Sequence, residues 1–205
     1  GGTAPNIEEG INSRHMASSS LIYGSPSKGH RIDAAREAGN MSDSEKEHFM
    51  NIMNSIRSDV ELQNFNDNLH IGISNEGLNI QIMDSKNRPM FKPSTSDLQP
   101  YMRKILVVIA KMIKNQPNYI SISGHTASVK GGTDTDYWML SSERANSVRK
   151  FLDNKLNNRQ ILRIVGKSDR EPFLPNDPYN TKNIRVSITL LNEDSVSKHH
   201  KSIPN

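Results

Sequence analysis

Two short runs of alternating residues, Leu69, Ile71, Ile73 and then Leu78, Ile80, Ile82, are separated only by Ser74-Asn75-Glu76-Gly77. A period of two around a glycine-containing turn commits this part of the chain to a β-hairpin with one apolar face. That face must be covered, and helices are available to cover it. Leu98, Met102, Ile105, Leu106, Ile109, Met112 and Ile113 form one wide stripe, with Arg103, Lys104, Lys111 and Lys114 falling elsewhere, which predicts a helix over 98–115. Ser42 and Glu45 have capping-box spacing ahead of Phe49, Ile52, Met53, Ile56 and Val60, which predicts another over 43–62. Further on, Tyr119 to Gly124 reads as a short strand. Ser141 stands as the natural N-cap of a helix, with Leu140 as its staple and Ala145, Val148 and Leu152 as its buried face. Strands over 161–166 and 184–191 follow. The order implies an α+β, two-layer sandwich, with helices packed on one mixed sheet of four strands or slightly more.

The segments outside this pattern divide the chain. Residues 1–40 are rich in Gly, Ser, Asn and Pro and lack an apolar period, so they read as a flexible linker. Residues 41–66 form an N-terminal helix leading into the domain, 67–192 form the domain itself, and 193–205 turn polar and read as a disordered tail. The longest apolar run, Ile105 to Ala110, is far short of the roughly 20 residues that cross a bilayer. The opening Gly1-Gly2-Thr3 reads as the downstream part of a longer product, with any targeting signal upstream.

Chemistry is narrowed more by what is missing than by what is present. There is no cysteine, so disulfides and thiolate chemistry are excluded. No Ser-His-Asp order, paired catalytic carboxylates or phosphate-cradling glycine loop stands out, and the expectation is a protein that is not an enzyme and has no cofactor. His199-His200 are adjacent in a polar tail and read as no metal site. The net charge of +4 suits an anionic partner, but the basic residues are scattered without interleaved aromatics, which argues against nucleic acid. Met50, Met53, Met102 and Met112 sit at helical spacing among Ile and Leu and read as core. Trp138 reads as a packing anchor, and His125 as a loop hydrogen-bonding group.

Three motifs point further: Ile120-Ser-Ile-Ser-Gly-His-Thr126, then Leu140-Ser-Ser-Glu-Arg-Ala145, and finally Asn183-Ile-Arg-Val186. Together they resemble the OmpA-like peptidoglycan-binding family, whose signature is Gly-His-Thr-Asp, Leu-Ser-x-x-Arg-Ala and Asn-Arg-Arg-Val. The segment from Glu76 to Phe91, followed by Pro100 to Leu106, is similar to the MotB-type stator subunits within it. The resemblance, spanning about 45–192, implies non-covalent peptidoglycan binding that anchors a flagellar motor stator. It implies a homodimer in the periplasm, and tethering to the inner membrane and a MotA-like channel subunit through an upstream membrane helix.

The residues support an anion site in their own right. Gly124 would let backbone approach a ligand, Thr126 offers a hydroxyl, and free amides at the start of the Ser141 helix favour negative charge. Arg144 adds a planar fork for a carboxylate, and Arg185 approaches from the last strand beside Asn183. By resemblance, the ligand is the diaminopimelate of a wall stem peptide. The family's acid, which pairs with the ligand ammonium, is here Ala127, and Ile184 replaces the first family arginine. Asp134 or Asp136 stands as a substitute acid. A second reading therefore stays open: a degenerate or truncated relative with an assembly or regulatory role and weak or no wall binding.

Overall fold

The computed structural model describes residues 41–131 and 136–201. The linker assigned to 1–40, and Asp134, lie outside them. Helix α1 (Asp43–Ser58) starts on the expected capping box. Ser42 Oγ accepts from the Glu45 amide at 3.3 Å while the Glu45 carboxylate accepts from the Ser42 amide at 3.2 Å. The helix stops at Asp59, whose side chain then caps the short α2 (Val60–Gln63). The hairpin follows as β1 (Leu69–Ser74) and β2 (Gly77–Met83), antiparallel and in the register that pairs Ile71 with Ile80 and Ile73 with Leu78. Gly77 makes the turn at φ +135°, a conformation side chains resist.

After a loop over 84–99 come α3 (Pro100–Ile113), β3 (Ile120–His125), α4 (Tyr137–Leu152), β4 (Ile161–Gly166) and β5 (Arg185–Leu191). Pro100 sits at the start of α3, where its missing N–H has no partner to lose. The five strands are ordered β1-β2-β5-β3-β4, all antiparallel except β3 with β4, which makes the sheet mixed. The last strand in sequence is thus the middle one in space. Its residues Val186, Ile188 and Leu190 are completely buried, in one core with Ile80 and Ile82 of β2, Ile122 of β3 and the α3 stripe from Met102 to Ile113. Helices α1 and α4 lie against α3 and against opposite ends of the sheet. Among the described residues, no helix is long and apolar enough to cross a membrane.

Four expectations are corrected. Residues 193–201 are not a disordered tail but helix α5 (Glu193–Lys201). Asn192 caps it by accepting from the Ser195 amide at 2.8 Å, and Glu45 of α1 accepts from the Glu193 amide at 3.1 Å. Capping and acidic first-turn residues, not an apolar period, support this helix. Trp138 is no packing anchor, being 54% exposed on the first turn of α4, and Met50 is likewise at the surface. Finally, α4 begins a full turn before Ser141. Asp136 is its N-cap and accepts from the Met139 amide at 3.0 Å.

Candidate anion-binding cleft

That earlier helix start changes what Ser141 does. The residue is fully buried in the second turn of α4, where its hydroxyl donates to the Trp138 carbonyl and accepts from the Ser168 amide, both at 3.0 Å. It ties the loop after β4 to the helix and offers no free helix-terminal amides. Gly124 has a related purpose. A Cβ there would lie 2.0 Å from the Ser141 carbonyl oxygen, so the missing side chain admits α4, not a ligand. Gly166, its partner across β3 and β4, is pressed by the Ser142 hydroxyl in the same way. The two glycines let α4 settle onto the sheet and so fix the height of Arg144.

Arg144 is 5% exposed and held from three sides. Its Nε donates to the Thr95 carbonyl at 3.0 Å, its guanidinium lies 4.8 Å from the centre of the Phe91 ring, and the Asp84 carboxylate lies within electrostatic reach. Burial pulls the guanidinium pKa down and Asp84 opposes that pull. Asp84 itself is 7% exposed and accepts a 2.6 Å bond from the Met90 amide. Burial raises its carboxyl to about 6, against the lowering effects of that bond and of Arg144. Thus the loop between β2 and α3 orients the arginine. The sequence reading missed Asp84, Phe91 and Thr95 as supports. The one local signal was a carboxylate placed directly after the buried end of a strand.

The two terminal nitrogens of Arg144 make no hydrogen bond with a described residue, and Arg144 lines a cleft of about 290 Å³. Thr126, Ala127, Tyr137, Tyr179 and Ile184 line the same cleft. Thr126 is 3% exposed. Its amide donates to the Ser168 carbonyl at 2.9 Å, but its hydroxyl has no partner among the described residues. A buried hydroxyl without a partner is costly, and so it is a natural contact for a ligand. The cleft therefore presents a guanidinium and a hydroxyl among apolar and aromatic surfaces, a combination able to hold a carboxylate.

The structure separates the remaining candidates from this cleft. Asn183 is fully buried, accepts from the Leu174 amide at 2.8 Å and donates to the Asp177 carbonyl at 2.8 Å, so it pins the loop ahead of β5. Arg185 donates to Gln81 at 2.8 Å, to the Asn183 carbonyl at 3.3 Å and to the Glu171 carbonyl at 2.7 Å. Burial lowers its pKa to about 10, with Glu171 opposing. Both residues hold the wall of the cleft from behind. Asp136 is occupied as a helix cap. His125 is buried, its Nδ1 without a partner among the described residues, and burial, with the charges of Arg185 and Lys167, lowers its pKa to about 3. It is neutral at physiological pH.

The OmpA family model matches residues 90–185, which include the cleft. Motility protein B of Escherichia coli K12 is 39% identical over 144 residues, covering 68% of this chain and 47% of that protein. The chain carries an OmpA-like domain of the MotB type. It spans about half the length of the curated relatives it matches. The flagellar export/assembly protein LafU of E. coli O44:H18 is 26% identical over 145 residues, 70% of this chain and 46% of that protein. In fold, the periplasmic domain of Helicobacter pylori MotB superposes with a TM-score of 0.52 at 22% identity, covering 64% of this chain and 94% of that one. The MotB-type pattern explains the conjunction of Gly124, Ser141 and Arg144, because the helix that carries the arginine must cross the glycine strand closely. Ala127 and Ile184, the two departures from that pattern, both line the cleft.

Proposed function

We propose that this domain binds peptidoglycan non-covalently in the periplasm and anchors a flagellar motor stator to the wall. The observation that carries the reading is the buried Arg144, which lines a cleft together with Thr126, whose buried hydroxyl has no partner among the described residues. A wall stem peptide ends and branches in carboxylates, and diaminopimelate is the ligand that the family resemblance implies. The domain acts as a grip and performs no chemistry. In the assembled motor it works as a homodimer, joined through an upstream membrane helix to the inner membrane and to a MotA-like channel subunit. Holding the stator still lets ion flow turn the rotor instead of the stator.

The test is cosedimentation of the purified chain with sacculi. Binding that falls at least tenfold in Arg144→Ala supports the reading, and binding unchanged by that substitution overturns it.

Ala127 and Ile184 favour a second reading, in which the chain keeps the fold but serves in assembly or regulation, as the name of its LafU relative suggests for that protein. In that case, the chain does not sediment with sacculi, and Ala127→Asp restores binding.

A further inference from the structure

Among the described residues that line the cleft, Arg144 alone carries a full charge. A second cation stands at the mouth, since the Lys130 ammonium lies 5.3 Å from the centre of the Tyr179 ring and Tyr179 lines the cleft. The described acids around the cleft are engaged, and Asp136 caps α4 through the Met139 amide. Asp84 lies behind Arg144 and is bonded to the Met90 amide. Asp169 accepts from the cleft-lining Ser128 at 2.8 Å and from Ser168 at 3.3 Å. Ala127 and Ile184, which line the cleft with Arg144, add a methyl group and an aliphatic side chain without charge.

A zwitterionic amino acid fits such a surface poorly. Its carboxylate would meet Arg144, but its ammonium would be desolvated close to that cation, with no acid among the described lining residues to offset the cost. If the nitrogen is acylated, the charge is gone and the acyl group adds apolar area suited to Ala127 and Ile184. The Thr126 hydroxyl, buried and without a partner among the described residues, can then donate to the carboxylate or the amide carbonyl. We propose that the cleft selects a carboxylate whose neighbouring nitrogen is acylated over one that stands beside a free ammonium. In wall terms this favours a stem-peptide terminus or an amide-bonded, cross-linked branch over the free amino-acid end of an uncross-linked branch. The inference rests on the reading of the cleft as a carboxylate site.

The experiment titrates the purified full chain at pH 7 with three probes: meso-diaminopimelate, its di-N-acetyl derivative, and pimelate, which has the two carboxylates and no nitrogen. Binding is followed through the Arg144 Nε–H and Thr126 amide resonances. The expected result is that di-N-acetyl-diaminopimelate and pimelate bind at least tenfold more tightly than diaminopimelate, and that Ala127→Asp reverses the order. Equal or tighter binding of diaminopimelate by the native chain overturns the selectivity while leaving the carboxylate site intact. If none of the three probes moves either resonance, both the selectivity and the carboxylate site fall.

Discussion

The α-carbon of Gly124 sits so close to α4 that a β-carbon on it would lie 2.0 Å from the carbonyl oxygen of Ser141. Because the obstacle is backbone in the middle of a helix, it cannot rotate away. Gly124→Ala should therefore destabilise the fold by about 3 kcal/mol, as overpacking in a filled core does. Gly166→Ala should cost less, since its obstacle is the Ser142 hydroxyl, which can turn. Urea denaturation of the two variants checks the ranking.

Arg144 should be irreplaceable even by lysine. An ammonium cannot keep the Thr95 bond and the Phe91 stack while also presenting two further donors to the cleft. Arg144→Lys should lose about 2 kcal/mol of ligand affinity, near that of Arg144→Ala, by titration with pimelate.

Protonation of His125 opposes folding in acid. Its folded pKa, about 3, lies below the ordinary histidine value of 6.5, so the stability it contributes is complete above pH 6.5 and is lost as pH falls towards 3. The loss is on the order of 4 kcal/mol. His125→Gln should flatten the acid limb of a stability profile measured by chemical denaturation from pH 7 to pH 4.

Asp84 acts in the opposite sense. Its folded pKa is raised to about 6 from 3.8, so its favourable contribution is complete below about pH 4 and is lost as pH rises through 6. Relative to Asp84→Asn, the native chain should lose about 3 kcal/mol of stability between pH 4 and pH 7. The same pair of proteins, denatured at both pH values, gives the difference directly.

Asn183 and Arg185 should prove to be supports of the cleft. Asn183→Ala leaves the Leu174 amide and the Asp177 carbonyl without their partner, at about 2 kcal/mol. Limited proteolysis should then cut within 171–182 faster than in the native chain, while pimelate affinity falls less than it does in Arg144→Ala.

Much of the sandwich could be read from the chain because its elements are encoded locally. The alternation of Leu78, Ile80 and Ile82 and the stripe from Leu98 to Ile113 each record one buried face. The start of α4 was misplaced because Asp136 and Ser141 both have capping chemistry, and only hydrogen bonding tells which one caps: Asp136 accepts from the Met139 amide, whereas Ser141 bonds to Trp138 and Ser168. Helix α5 was missed for the converse reason. It has acidic residues and a cap but little apolar surface, and its first amide is held by Glu45, some 148 residues away.

By itself the sequence determined most of the elements, the family pattern and the presence of Arg144, Ala127 and Ile184. Only the tertiary structure decided which of these share a cleft. Thr126 and Arg144 reach it, while Ser141, Asn183 and Arg185 are consumed by the scaffold. The physical reason is that periodicity reports which face of an element is buried, whereas the partner of a buried polar group is set by distant segments that folding brings to it. The loop from Asp84 to Thr95 grips Arg144, and no local pattern around either one specifies that meeting.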